Sequence, residues 1–358
     1  MESSGEQTVG LDPQPAGLAG GGAPTAAAPS PPPRTDDRLP GESPWRRRVT
    51  RLGDRYGVIL TFIAIIVVFS ILDPSGFPTW RNLQTILTQT GTVILLAIGL
   101  TFVLAAGEFD LSFPYAFGLV SGVLVIALTK WHMGTFEAVA IGLACGVLTG
   151  VINGLLVATR RASSFILTLA AGSAYTGLMY AVAGQAPIIN GIPNNYVNIA
   201  NRSVLGFSTV VVLALVTAIL AAVVLRATVF GRHVQATGSN AEASAIAGVR
   251  VNRVRIGAFA VLGLFVAAAA IIDTSTSAAF YPSAGQGYFL PPFVAAFVGT
   301  SVLGRGRFNV LGTVIGALFI DTLQVGLIQQ NAPSWVIYVV QGVVLAMAVM
   351  VTAQKRRT

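Results

Sequence analysis

Residues 231–255 read GRHVQATGSNAEASAIAGVRVNRVR, the longest well-formed polar interruption in a chain that is otherwise almost continuously apolar. Arg232, Arg250, Arg253 and Arg255 make it basic. Asn240 to Gly248 predicts a short helix. Asn240 supplies a capping side chain, Ala241, Glu242 and Ala243 are good helix formers, and Gly248 suits the turn that ends it. Two readings stand side by side. One is a small-faced helix held between long hydrophobic segments for another protein to grip. The other is an ordinary connecting loop, since loops more often connect than act.

Working outward from this stretch, the flanking residues fall into apolar runs of roughly 17–25, the length that crosses a bilayer as a helix. Only 10% of the 358 residues are charged and 54% are hydrophobic, with a mean hydropathy of +0.73. A soluble domain carries about 25% charge. The short alternating segments of about ten residues that build a membrane β-barrel are absent. The expected fold is an all-α polytopic membrane protein of about ten transmembrane helices. They are placed at 56–72, 83–106, 112–129, 136–158, 164–184, 206–228, 255–275, 287–303, 308–329 and 333–353. Only Gly107-Glu108-Phe109-Asp110-Leu111-Ser112 separates the second and third, so a re-entrant or broken helix is a real alternative there. Residues 185–205 form the longest outside segment, and their Pro, Gly and Asn read as turns.

Charge distribution orients these spans. With both termini in the cytoplasm, 19 of the 22 Lys and Arg fall inside, and only Arg81, Lys130 and Arg202 fall outside. This is the positive-inside asymmetry of an even number of spans. The net charge of +8 therefore reports membrane orientation, and nucleic acid is excluded as a partner. Residues 1–45 are rich in Gly, Ala, Pro and Ser and are expected to be a disordered tail without a signal peptide. Residues 46–354 form the transmembrane domain, with 231–255 as its polar loop, and 355–358 a basic C-terminal tail.

Several chemistries are missing. The two lysines, Lys130 and Lys355, do not follow a glycine, so no GxxxxGK[ST] phosphate loop exists in the chain. No serine sits in a GxSxG elbow. The single cysteine, Cys145, and the two histidines, His132 and His233, offer no metal spacing. The chain is thus expected not to be an enzyme and to need no cofactor and no metal. If ATP drives it, another subunit must hold the nucleotide.

The ionisable groups within or beside the spans are Glu108, Asp110, Glu137, Asp273 and Asp321. A charge at mid-bilayer costs roughly 2.5–3.5 kcal/mol on insertion scales, so such groups usually face the bundle interior. Asp321 and Gln324, at i and i+3, share one helix face. They predict a polar patch on a solute path, against the plainer reading of an interhelical hydrogen bond. Asp110 is expected to cap the third span, with a solute-path role as the lesser reading. Gly142, Gly146 and Gly150, and Gly312 with Gly316, predict faces where helix backbones approach closely.

Several segments together resemble the permease subunits of bacterial ABC importers of the ribose, xylose and galactose type. Gly107–Ser112 is similar to that family's G-x-I-D-L-S signature, and Leu167–Gly172 to its A-T-L-G-M. Gly231-Arg232, Gly238, Asn240, Glu242-Ala243 and Gly248 match its G-R…G-x-N-x-E-A-A-x-x-x-G loop. Gly299-Thr300-Ser301, Gly304, Gly306, Gly312-Thr313 and Gly316-Ala317 match its glycine-rich segment. The resemblance covers about residues 56–353.

The resemblance implies a pore of two permease subunits, identical or not, in the bacterial inner membrane. It also implies two cytoplasmic ATP-binding subunits and an extracytoplasmic solute-binding protein that meets the region 185–202. Gly238, Asn240, Glu242, Ala243 and Gly248 would then form the coupling helix that docks on the ATPase, and the solute would be a monosaccharide. Departures fall at Phe109, Ser244, Pro291-Pro292 and Asp321, several of them where solute would pass. The alternatives are an ABC permease for branched-chain amino acids or another small polar solute, and a proton-coupled secondary transporter using Asp110 or Asp321.

Overall fold

A computed structural model describes residues 44–159, 162–204, 206–302 and 306–357. Residues 1–43 of the tail expected over 1–45, and the basic or glycine residues Arg160, Arg161, Gly304 and Arg305, lie outside them, while Pro44 and Trp45 already belong to a helix. Helix α1 runs Pro44–Leu72, α2 Trp80–Ala105, α3 Phe113–Thr129, α4 Thr135–Thr159 and α5 Ser164–Ala183. A short helix, α6, covers Asn194–Asn201. The two-residue strands β1 (Ser203–Val204) and β2 (Phe207–Ser208) pair antiparallel before α7 (Thr209–Ala227). Then come α8 (Val229–Ser239), α9 (Ala241–Ile246), α10 (Val251–Ser277), α11 (Ala284–Gly287), α12 (Leu290–Val302), α13 (Val310–Gln329) and α14 (Ser334–Arg357).

Every expected span has a helix. Among the described residues, seven helices are long and apolar enough to cross a membrane: α2, α4, α5, α7, α10, α13 and α14. Gly57–Leu72 of α1 and Phe113–Thr129 of α3 are shorter apolar helices, and α12 has only 13 residues. The chain is a polytopic α-helical membrane protein.

Three local expectations are corrected. The eighth span does not start at 287, because α11 ends there and a break precedes α12 at Leu290, the residue before Pro291-Pro292. Proline lacks an N–H and suits a first turn, so the pair starts a helix rather than sitting within one. Residues 194–201 form α6 rather than turns. Its Tyr196 ring is fully buried, and the phenol contacts Thr274 and donates to the Ile271 carbonyl on α10 at 3.2 Å. The all-α expectation also misses the β1–β2 hairpin.

Helix α2 is the axis of the bundle. From Thr90 to Ala105 it is buried all round, and it packs against α7, α10, α12 and α13. A helix apolar on every face belongs at the centre of a large protein rather than at its edge. α3 is nearly as buried, lying against α4, α5 and α10. The lipid-length helices α5, α7 and α14 instead leave most of their apolar surface outward, as expected where hydrocarbon replaces water.

The glycine faces do what their spacing predicts. A Cβ on Gly150 would strike the Phe259 carbonyl of α10, and one on Gly146 would meet the Gly263 carbonyl at 2.5 Å. The α4–α10 crossing is therefore backbone against backbone. Gly312 of α13 stands in the same relation to Gly299 of α12.

Candidate functional site

Two regions carry polar chemistry. The first is α8–α9. Thr228 caps α8, its hydroxyl accepting from Gly231 N at 3.1 Å. At Asn240 the backbone turns extended (φ −159°, ψ 104°) and ends α8. The Asn240 side chain then starts α9 by accepting from Ala243 N at 2.9 Å. α9 ends with Gly248 N donating to the Ala245 carbonyl and Val249 N to that of Ser244, at 3.0 and 2.9 Å. This paired closure needs a left-handed residue, and Gly248 has φ +85°. The predicted helix is thus present, and residues 229–239 before it are helical too.

On α9 only Ser244 is buried, while Glu242, Ala243 and Gly248 are exposed. Ile246 is 89% exposed, an extreme value for a large apolar side chain. No sequence pattern marks it, since a lone Ile in an Ala-rich helix reads as an inward anchor. Behind α9, Gly238 presses its backbone on the end of α2, where a Cβ would collide with the Ala105 carbonyl. Gly107, itself at φ +83°, faces the Gly238 Cα.

The linker after α2 leads from this contact to a buried network. Asp110 Oδ1 accepts from both Ser112 N and Ser112 Oγ at 2.6 Å, and Oδ2 from Asn153 Nδ2 of α4 at 3.2 Å. Tyr175 of α5 donates to Asn153 Oδ1 at 2.8 Å. The capping position of α3 falls on Ser112, whose side chain makes no capping bond. Asp110 folds the linker by holding the Ser112 N–H instead.

The second region is a cavity of about 370 Å³ between α2, α10, α13 and the α11–α12 break. Asp321, Gln324, Val325 and Ile328 reach it from one face of α13, as the i, i+3 spacing predicts. Gln89 and Thr92 face it from α2, Asp273 from α10, and Tyr288 from the break. Tyr288 donates to Asp273 Oδ1 at 2.6 Å. A neighbouring cavity of about 530 Å³ shares Gly287, Gln324 and Ile328, and there Gln341 of α14 donates to Gln324 Oε1 at 2.8 Å. The structure therefore joins Asp321 to Gln324 but sets Asp110 apart, outside the lining of either cavity. Tyr288, Gln89 and Gln341 are missed by sequence reasoning. An intramembrane polar residue carries a signal, but which cavity it faces depends on packing. Among the described residues no group of three or more His, Cys, Asp or Glu could hold a metal ion.

Comparison with known proteins covers most of the chain. A ribose import permease protein of Bacillus subtilis (strain 168) is 33% identical over 303 residues, covering 84% of this chain and 93% of that protein. A xylose transport system permease protein of Haemophilus influenzae is 29% identical over 362 residues, covering 84% and 96%. An L-arabinose ABC transporter permease protein of Azospirillum brasilense is 30% identical over 321 residues, covering 88% and 92%. No solved structure matches significantly. The profile of the family described as branched-chain amino acid transport system / permease component matches residues 82–349, from the first turn of α2 into α14, and the chain belongs to that family.

Proposed function

We propose that this chain is the membrane-spanning subunit of an ATP-binding-cassette importer in the bacterial inner membrane, and that it translocates a monosaccharide. The observation that carries the reading is similarity over most of the chain to permeases named for ribose, xylose and arabinose. It favours sugars over the amino acids in the family's description. It also favours ATP-driven import over proton coupling, the alternative built on Asp110 or Asp321.

In this reading ten spans place both termini in the cytoplasm, three of them, the apolar part of α1 (Gly57–Leu72), α3 and α12, being short. Two copies of the chain, or this chain and a homologous one, form the pore. An extracytoplasmic binding protein releases solute near residues 185–202. Solute then passes the cavity bearing Asp321 and Gln324, while Asp110 organises the linker behind it. ATP hydrolysis occurs on separate cytoplasmic subunits, because no phosphate loop exists in this chain.

Gly238, Asn240, Glu242, Ala243 and Gly248 form the docking element for those subunits. α9 supports this role because it offers an exposed apolar side chain, Ile246, on a helix closed tightly at both ends. Behind it, the Gly238–Ala105 contact provides a route from docking to the central helix α2.

The test is uptake of labelled ribose, xylose and arabinose by cells making the chain with its neighbouring ATPase and binding protein. ATP-dependent uptake that is lost with the ATPase and insensitive to protonophore is expected. Uptake that persists without the ATPase and collapses with protonophore would overturn the reading. Leucine uptake in place of pentose uptake would move the solute to amino acids.

A further inference from the structure

We propose that the cavity between α2, α10 and α13 selects a solute bearing a primary ammonium beside hydroxyl groups, an amino sugar or amino polyol. This rests on the importer reading and narrows its solute class. Two carboxylates, Asp273 and Asp321, line one cavity, and no Lys, Arg or His is among its described lining residues. Asp273 is already served, since the Tyr288 hydroxyl donates to it at 2.6 Å. Asp321 is served only in part.

Asp321 is only 5% exposed, and its Oδ2 is buried with no hydrogen-bond partner. The neighbouring Thr90 hydroxyl is shared between Asp321 and the Ile86 carbonyl, which it meets at 2.7 Å. A buried carboxylate with one oxygen unpaired and no counter-charge among the described lining residues is costly, and it faces a space large enough for a single sugar ring. Such a group is neutralised by a proton or by a cation that enters the cavity.

The rest of the lining favours the second. Gln89, Thr92 and Gln324 offer acceptors and donors suited to hydroxyl groups, as small-ligand sites do when a few polar groups fix orientation. A charged hydrogen bond to a carboxylate is roughly twice as strong as a neutral one, so the ammonium would anchor at Asp321 and the hydroxyls would align on the amides. Anionic solutes such as sugar phosphates and sugar acids meet two carboxylates and are rejected.

The test is thermal unfolding of the full chain in nanodiscs with three probes of one shape: D-glucosamine, D-glucose and N-acetyl-D-glucosamine. D-glucosamine at about ten times its half-saturating concentration is expected to raise the midpoint by about 3 °C. The uncharged probes should give less than half that shift. Asp321→Asn, which keeps shape, should lose the glucosamine shift, and Asp273→Asn should reduce it.

Equal shifts from charged and uncharged probes would overturn the proposal, as a proton on Asp321 predicts, and would leave the sugar importer standing. An undiminished glucosamine shift in Asp321→Asn would overturn it as well. Shifts from none of the probes would do the same, and pentose uptake would then decide the importer reading separately.

Discussion

Arg255 Nε stands 2.7 Å from Glu108 Oε1, joining the first turn of α10 to the linker between α2 and α3. Arg255 follows the α9 turn, and Glu108 follows Gly107, which faces Gly238. The two sides of the α8–α9 segment are therefore tied to one linker, by charge on one side and by backbone contact on the other. The pair is partly exposed, so its direct contribution to stability is small, about 0–1 kcal/mol. Its expected effect is on coupling. Glu108→Arg should lower sugar uptake roughly tenfold with little change in the unfolding midpoint. The exchange Glu108→Arg with Arg255→Glu should recover most of that loss in the same uptake assay. Failure of the exchange to recover any uptake would return the pair to a surface contact.

Ile246 gives a sharper test of docking than the polar residues around it. Its side chain touches little within the chain, so Ile246→Asp should leave the unfolding midpoint within about 1 °C of the parent, as for an exposed substitution. If α9 enters a groove on the ATPase, burying Ile246 there contributes about 1.5–3 kcal/mol. Co-purification of the ATPase should then fall at least tenfold. Glu242→Arg should act in the same direction. Unchanged co-purification in both would remove α9 from the interface.

The Asp110 network predicts a graded loss of stability. Tyr175→Phe removes one donor to Asn153 Oδ1 and a bond to the Thr149 carbonyl at 3.1 Å, which should cost about 1–2 kcal/mol. Asn153→Leu strips Asp110 Oδ2 and Ser112 Oγ of a partner and leaves a buried carboxylate short of donors. That should cost more, about 2–3 kcal/mol. Unfolding in denaturant measures both, and reversal of this order would mean that Asn153 does not carry the network around Asp110.

The parts of this protein that are legible in sequence are those whose cause is local. Asn240 and Gly248 mark the ends of α9 because a cap and a left-handed turn act over three or four residues. Gly146 and Gly150 mark a helix crossing because a missing side chain on a fixed face admits only a close neighbour. The pairing of Asp321 with Gln324 follows from helix periodicity alone. What escapes is contact across the fold. Tyr288 reaches Asp273 only because α11 ends and the chain bends before Pro291, and 15 residues separate the two in sequence. Asp110 looks like a cap for α3, yet its carboxylate also accepts from Asn153 of α4, which Tyr175 of α5 holds in turn. The exposure of Ile246 depends on where α9 sits relative to α2 and α10, which no periodicity records.

Gly238 and Gly248 lie ten residues apart and predict outcomes of different kinds for the same substitution. At Gly248 nothing lies within 4 Å of an added Cβ, and only the backbone objects, at φ +85°. Gly248→Ala should cost about 1–2 kcal/mol by loosening the end of α9. At Gly238 the added atom meets the Ala105 carbonyl, and the backbone of α2 cannot move without disturbing the buried centre of the bundle. Gly238→Ala should therefore separate α8 from α2, costing about 1–3 kcal/mol as overpacking does. The two differ most in function. Because α9 stays exposed in both, ATPase co-purification should survive in each, while sugar uptake should fall far more in Gly238→Ala. Equal uptake in the two variants would mean that force from α9 reaches the spans through α10 alone.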